Sequence, residues 1–187
     1  MALGFGDLHK GITIELDGAP YKVEDYSQQK MQQRAPTYHI KLRNLITGQS
    51  MEKSFSGYGI KLDEAPVENR AAQYLYEDGG LYYFMDTTTF EQYPLSAQVL
   101  GNAIHFLKDQ LAAELVFWRG NPIVVELPTT VNLRVTDAPS GYKGDTASGS
   151  TKPATVETGL TVTVPMFINA GDLIKVDTRS GEYVGRV

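Results

Sequence analysis

The sequence predicts an all-β protein made of three small β-barrels in series. Alternating apolar and polar residues recur in short runs along the chain, as in Ile12–Leu16 and Thr37–Arg43. Turn residues such as Asp17-Gly18 separate these runs, and one segment alone has a helical period. The chain has 187 residues, of which 42% are hydrophobic. This length fits one large domain or two to three small ones, and the apolar fraction is sufficient for packed cores.

The first unit is expected to cover residues 1–64. Its end is marked by Pro66 and by a strongly charged segment around it. Between its second and third strands lies a segment, Ser27–Pro36, that is long for a hairpin connection. The predicted strands are Ile12–Leu16, Tyr21–Glu24, Thr37–Arg43 and Met51–Phe55.

Two further units are expected over residues 65–127 and 128–187, divided at Leu127-Pro128. The middle unit contains the helical segment, which Asn102 is predicted to cap, with Ile104, Leu107 and Leu111 on one face. In the last unit, residues 137–154 are predicted to form one long loop rich in turn residues. The predicted strands are Gln73–Tyr76, Leu81–Met85, Glu114–Trp118, Pro122–Glu126, Val131–Val135, Leu160–Val164, Leu173–Asp177 and Tyr183-Val184.

The charge is divided unevenly along the chain. The total is −5, but residues 1–60 carry net +1, residues 61–127 carry net −6, and residues 128–187 are neutral. Taken whole, this balance argues against a nucleic-acid binder. Taken by segment, it leaves both ends of the chain able to contact RNA while the middle avoids phosphate. Uneven surface charge is also common in proteins of other functions.

The composition excludes several kinds of chemistry. The chain has no cysteine and three widely spaced histidines, so a disulfide scaffold, a thiol nucleophile and a zinc site are not expected. It contains no phosphate-binding loop motif, nucleophile elbow or calcium loop. We therefore expect no catalytic residue, no metal and no cofactor. The N-terminal segment lacks the pattern of a signal peptide, and no apolar run could span a bilayer, which predicts a cytoplasmic protein without a membrane partner.

Two predicted loops are candidates for contact with RNA. Ser27–Pro36 combines two cations with four amide side chains, which suits contact with phosphates and with base or ribose edges. Residues 141–149 contain three glycines, which permit close approach of the backbone to a ligand. A plain surface hairpin and an irregular barrel loop remain the alternatives to these interpretations.

The spacing of residues in the third unit resembles that of bacterial elongation factor P. The signature consists of Lys152-Pro153-Ala154, Gly159, Val162, Val164-Pro165, Ile168 and Gly171. Similar segments elsewhere are Lys41–Leu45, Thr47-Gly48, Glu52–Phe55, Tyr74–Tyr76, Phe84–Asp86, Thr89–Gln92, Gly144–Ala147 and Val176–Arg186. The resemblance covers practically the whole chain.

The resemblance implies an SH3-like barrel of the KOW type followed by two OB-type barrels, in an L shape that mimics tRNA. It implies binding to the 70S ribosome between the P and E sites and stimulation of peptide-bond formation when consecutive prolines stall synthesis. The partners would be the P-site peptidyl-tRNA, and the rRNA and mRNA near the E site, with the factor acting as a monomer.

The same resemblance assigns site residues. The first-unit loop would face the peptidyl-transferase centre with Lys30, Met31, Gln32, Gln33 and Arg34. The small-subunit contact would be made by Lys143, Gly144, Asp145 and Thr146, and further RNA contacts by Tyr183 and Arg186.

The first-unit loop departs from the family pattern, which reads Lys or Pro, then Gly-Lys-Gly, with a Lys or Arg at the tip. Counting back from Lys41-Leu42 places Gln33 at the tip, whereas a shifted loop would place Arg34 there. A glutamine cannot carry a lysine-type modification, and Arg is not equivalent to Lys in such a contact. The alternative function is a stand-alone OB-type RNA-binding protein. A hydrolase would need an acid–base pair that the sequence does not provide.

Overall fold

The computed structural model describes residues 2–29, 35–57, 61–139 and 150–187. Sixteen strands in three sheets lie within these ranges. They are accompanied by one α-helical turn and two short 3-10 segments in the same described parts of the chain. The predicted all-β fold class is therefore confirmed.

In chain order the strands are β1 (Ala2–Leu3), β2 (Thr13–Leu16), β3 (Ala19–Gln29), β4 (Thr37–Asn44), β5 (Ser50–Ser56), β6 (Leu62–Glu64), β7 (Val67–Asp78), β8 (Leu81–Asp86), β9 (Gln92–Ser96), β10 (Ala112–Trp118), β11 (Asn121–Glu126), β12 (Thr130–Asp137), β13 (Thr151–Val156), β14 (Thr161–Pro165), β15 (Leu173–Asp177) and β16 (Tyr183–Arg186). The helical turn α1 is Ala97–Leu100, and the 3-10 segments are Phe5–Asp7 and Gly101–Phe106.

The first sheet has the order β1-β6-β2-β3-β4-β5. It belongs to one compact unit, Met1–Arg70 with Val116–Val124. The predicted turn between β2 and β3 is confirmed, since Asp17 and Gly18 have φ of 52° and 77°, as a two-residue type I′ hairpin requires. Its core consists of Leu8, Ile14, Val23, Ile40, Leu42 and Leu62.

Within this unit, Arg119 lies on the β10–β11 turn. Its Nη2 donates to both carboxylate oxygens of Glu15 on β2, at 2.8 and 3.0 Å. Its guanidinium also lies 4.4 Å from the centre of the Trp118 ring. Both the charge-assisted hydrogen bonds and the cation–π contact favour this position of the guanidinium. The β10–β11 turn is therefore held by side chains as well as by its ladder.

The second compact unit comprises Ala71–Leu115 and Val125–Val187. The remaining sheets have the orders β11-β10-β7-β8-β9 and β14-β13-β12-β15-β16. Alternation along β12 places Val131, Leu133 and Val135 inside and Arg134 in solvent. This period of two is the one that the sequence pattern predicts for a half-buried strand.

Three details differ from expectation. The predicted helix capped by Asn102 is wrong, because the α-helical turn lies earlier and ends at Gly101, whose φ is 52°, after which a 3-10 segment follows. Leu107 is extended and outside both. Ser27, Gln28 and Gln29 are not loop residues, since they pair with His39, Tyr38 and Thr37.

The third difference is β13, which lies in the segment predicted as one long loop. Alternation there is concealed because an inward position is occupied by Lys152, only 7% exposed, in place of an apolar residue. Proline at 153 also reads as a turn signal. The ladder with β14 nevertheless runs without interruption from Thr151 opposite Pro165 to Thr155 opposite Thr161.

Candidate functional site

The β3–β4 hairpin forms a long stem beneath the predicted tip of the first unit. Its ladder continues to Gln29 opposite Thr37. Gln28 Nε2 donates to Tyr38 Oη at 2.8 Å across the strands. The Phe5 ring stacks on Tyr38 with centroids 3.4 Å apart and planes 5° from parallel. A cross-strand hydrogen bond and one aromatic ring from outside the hairpin, that of Phe5, therefore stiffen the stem near its upper end.

The predicted tip residues Lys30, Met31, Gln32, Gln33 and Arg34 lie outside the described residues. On the far side of this segment Pro36 is buried, and its carbonyl accepts the N–H of Gly57 at 3.1 Å. The two ends of the tip segment are consequently anchored, one in the ladder and one against the neighbouring strand.

A pocket of about 540 Å³ opens on the outer side of the same hairpin. Four cations line it together with Gly11, Val23 and two acids. The cations are Lys10, Lys22, Lys41 and Arg43, and the acids are Glu24 and Asp25. The lining therefore has a net charge of +2, in a chain whose total is −5. A cationic pocket is suited to a phosphate or another anion.

The arrangement of these cations has an electrostatic cost. Lys22 of β3 lies directly opposite Arg43 of β4 in the ladder. Like charges in directly opposite positions destabilise a sheet. Acids offset part of this repulsion, since Lys10 Nζ lies 3.0 Å from Asp25 Oδ1 and Lys41 Nζ lies 3.6 Å from Glu24 Oε2. Positive charge concentrated at such a position is typical of anion-binding surfaces.

Asp25, one of the two acids that line the pocket, is stabilised in its ionised form. A hydrogen bond from Lys10 and a second one from the backbone N–H of Tyr26 lower the pKa of Asp25 below its usual value. An incoming phosphate must therefore compete with a carboxylate for Lys10. Arg43 has no ion pair of this kind among the contacts of the described residues.

Sequence reasoning did not single out this pocket. A signal was present: Lys41 and Arg43 flank Leu42, which is fully buried, so both cations must point away from the core. Lys10 and Lys22 could not be added from sequence, because their approach depends on the register of β3 and on the segment before β2.

The second predicted loop, with Lys143, Gly144, Asp145 and Thr146, also lies outside the described residues. Its base is described. Lys152 Nζ donates to the carbonyl oxygen of Pro139 at 2.9 Å, which ties β13 to the segment after β12. A buried ammonium needs such a partner to offset its lost hydration. Lys152, one of the signature residues, thus has a structural role at this point.

The predicted C-terminal contacts, Tyr183 and Arg186, both lie on β16. Tyr183 is half-buried opposite Val176, and Arg186 Nη2 lies 3.0 Å from Asp172 Oδ1. Nearby, Arg179 binds Asp177 with Nε at 3.2 Å and Nη2 at 2.7 Å. The structure therefore brings two arginines to this sheet, each already paired with an aspartate.

No group of three or more His, Asp or Glu side chains in the described ranges could hold a metal ion. In the same ranges, no helix is long and apolar enough to cross a membrane.

Comparisons with known proteins match the whole length of the chain. A family model described as the KOW-like domain of elongation factor P matches residues 5–58, one for its OB domain matches residues 67–125, and one for its C-terminal domain matches residues 131–186. Among solved structures, the chain is similar to eukaryotic translation initiation factor 5A from Methanococcus jannaschii, with a TM-score of 0.54 and 19% identity over 68% of this chain and 92% of that one. This likeness concerns the fold alone.

Curated relatives are much closer in sequence. The chain is 48% identical over 182 residues to elongation factor P of Thermoanaerobacter sp. (strain X514), covering 97% of this chain and 98% of the relative. It is 44% identical over 181 residues to elongation factor P of Thermodesulfovibrio yellowstonii, covering 97% and 96%. The chain therefore belongs to the elongation factor P family, whose members are translation elongation factors and not enzymes.

Proposed function

We propose that this factor binds the 70S ribosome between the P and E sites, in the cytoplasm, and stimulates peptide-bond formation at runs of prolines. The observation that carries the proposal is the cationic pocket of Lys10, Lys22, Lys41 and Arg43, on the same hairpin that leads to the tip segment. A cationic pocket on the hairpin that leads to the predicted tip suits contact with the P-site peptidyl-tRNA. The pocket would bind the tRNA backbone, and the loop would extend along its acceptor end.

The proposed action is positional and needs no covalent step. A prolyl-tRNA reacts slowly because the reacting groups are poorly oriented, and ordering the acceptor end would lower the barrier. A gain of about 1.4 kcal/mol is enough for a tenfold higher rate. The stacked Phe5–Tyr38 pair and the long β3–β4 ladder support this role, because an orienting loop needs a stiff base.

The other contacts belong to the same proposal. Lys143, Gly144, Asp145 and Thr146 would approach rRNA and mRNA near the E site, and Tyr183 and Arg186 would contact RNA from β16. The proposed domains are residues 1–64, 65–127 and 128–187, a division supported by the positions of the three family models. The factor would act as a monomer and without a cofactor.

The test is reconstituted translation of a reporter with three consecutive prolines, with and without the unmodified protein. Gln33→Ala and Arg34→Ala are compared with the control Gln49→Ala, a change of an exposed side chain in the β4–β5 turn. We expect the wild type and the control to relieve the stall, and one tip variant to lose most of that effect. The variant that fails identifies the tip residue.

Relief by protein from its native host but not by unmodified protein would require a modification on the tip loop. Absence of relief from both preparations would contradict the proposal. Salt-sensitive binding to free RNA, together with that absence, would favour the alternative of a stand-alone OB-type RNA-binding protein.

A further inference from the structure

The outer face of the β7–β9 sheet exposes an apolar surface that the proposed function does not use. Tyr76 of β7 lies opposite Tyr83 of β8, and their rings stack with centroids 4.8 Å apart and planes 19° from parallel. Leu81, two residues from Tyr83, projects to the same side, and Pro94 of β9 lies opposite Tyr83. We call Tyr76, Leu81, Tyr83 and Pro94 the tyrosine face.

This face is open to solvent. Tyr76 is 47% exposed and Leu81 is 38% exposed, whereas Phe84, on the opposite side of the same strand, is completely buried. The stacked pair lies on the side of the sheet away from Phe84 and the core. Its rings are already held in one orientation, so a partner that lies on them loses little side-chain entropy on binding.

The charge around the face has one sign. Residues 71–107 contain five tyrosines and four acids but no Lys or Arg. One of the acids, Asp78, lies opposite Leu81 and so on the tyrosine face, whereas Glu77 lies opposite Tyr82 on the other side of the sheet.

These features favour one class of partner. Phosphate groups would be repelled, which disfavours RNA despite the aromatic rings. Arginine and lysine side chains can stack on tyrosine and pair with carboxylates at once. Addition of a partner strand at the sheet edge is disfavoured, because the edge strand β9 carries Pro94 in its middle. The mode of binding that remains for a protein partner is contact with the side chains of the tyrosine face.

We propose that the tyrosine face docks a lysine- and arginine-rich segment of a partner protein. The face would thus provide a protein contact, separate from the RNA contacts proposed for both ends of the chain. If the factor acts on the ribosome as proposed above, this partner is a protein of the ribosome.

The first test uses the full-length ¹⁵N-labelled protein and NMR. The probes are a synthetic peptide of alternating Arg, Lys and Ser, the same peptide with Glu in place of the cations, and oligouridylate. We expect the basic peptide alone to shift amide signals of β7, β8 and β9, with an affinity that falls as salt is raised. Tyr76→Ala and Asp78→Lys should each weaken binding by about tenfold. The control Phe167→Ala removes an exposed aromatic outside the face and should bind normally.

The second test places a photoreactive benzoylphenylalanine at position 76 of the full chain on purified 70S ribosomes. We expect a crosslink to a Lys/Arg-rich segment of a ribosomal protein. A crosslink to rRNA, or shifts of the same signals by oligouridylate, would overturn the proposal in favour of RNA stacking. Loss of binding in the Phe167→Ala control, or no shift with any probe, would also overturn it. A wild-type protein that relieves proline stalls but shows none of these contacts refutes the docking proposal alone, whereas failure to bind ribosomes refutes the proposed function.

Discussion

At the residue scale, Asp177 organises the turn between β15 and β16. Its Oδ1 accepts the backbone N–H of Arg179 at 2.8 Å, and the Arg179 guanidinium binds both carboxylate oxygens. The hydrogen bonds from this guanidinium, and then that from the Arg179 backbone N–H, hold the pKa of Asp177 far below its ordinary value of 3.8. The carboxylate is consequently ionised throughout the neutral and mildly acidic range.

A pH dependence follows from this depressed pKa. Because the folded pKa lies below the unfolded one, the contribution of Asp177 to stability is complete above pH 3.8 and is lost as pH falls below it. Asp177→Asn should therefore lower the urea midpoint at pH 7, and the difference from wild type should shrink as pH falls from about 4 to 2. Urea unfolding of both proteins between pH 7 and pH 2 measures this difference in midpoint. A difference that is constant with pH would show that the charge of Asp177 is not responsible.

At the scale of elements, the β3–β4 hairpin depends on Tyr38 at the top of its stem. The ring packs on Phe5 and the hydroxyl accepts from Gln28. Tyr38→Phe keeps the stack and removes the hydrogen bond, which should cost about 0.5–1 kcal/mol of unfolding free energy. Tyr38→Ala removes both, and should cost about 2–3 kcal/mol because Tyr38 is only half-buried.

The same pair of variants separates stiffness from stability. We expect Tyr38→Ala to reduce relief of proline stalling at a temperature where it remains folded, with ribosome affinity nearly unchanged. Tyr38→Phe should keep most of the activity. Equal activity of the alanine variant and wild type would mean that the stacked base does not orient the tip segment.

At the scale of the whole molecule, the net negative charge of the chain lies in residues 61–127. If the cationic pocket binds phosphates, the logarithm of ribosome affinity should fall linearly with the logarithm of salt concentration. Lys22→Gln and Arg43→Gln should each reduce that slope by about 1. The control Lys61→Gln, an exposed cation outside the pocket, should leave the slope unchanged. Unaltered slopes in both pocket variants would exclude phosphate contacts at this pocket.

Local patterns predicted much of the fold because strands and tight turns are determined by neighbouring residues. The alternation of Val131, Leu133 and Val135 predicts β12. Asp17-Gly18 predicts the turn between β2 and β3, because both residues adopt a positive φ. The helix predicted to be capped by Asn102 was wrong, because its local pattern was misleading. Its apolar spacing is compatible with a helix, but the chain leaves helical geometry at Gly101.

One loop form recurs in all three sheets and is only partly visible in sequence. At Asn44, Asp86 and Asp177 the side-chain oxygen accepts the N–H groups two and three residues ahead. The residue four positions ahead has positive φ in each case: Gly48, Phe90 and Gly181. Glycine marks two of these turns, whereas Phe90 gives no such signal, since bulky residues seldom adopt that conformation.

Residue types at short, regular separations are enough to establish the all-β class, the strand-and-turn pattern and, through the spacing around Lys152, the family. A linear chain displays such separations directly. Which distant side chains come together is a property of the folded chain: Lys10, Lys22, Lys41 and Arg43 share one pocket, and Tyr76 and Tyr83 stack on one side of their sheet. Both arrangements depend on strand register, where a shift of one residue turns a side chain to the other side of the sheet. Register is set by the packing of the whole core, and so it cannot be derived from any one segment.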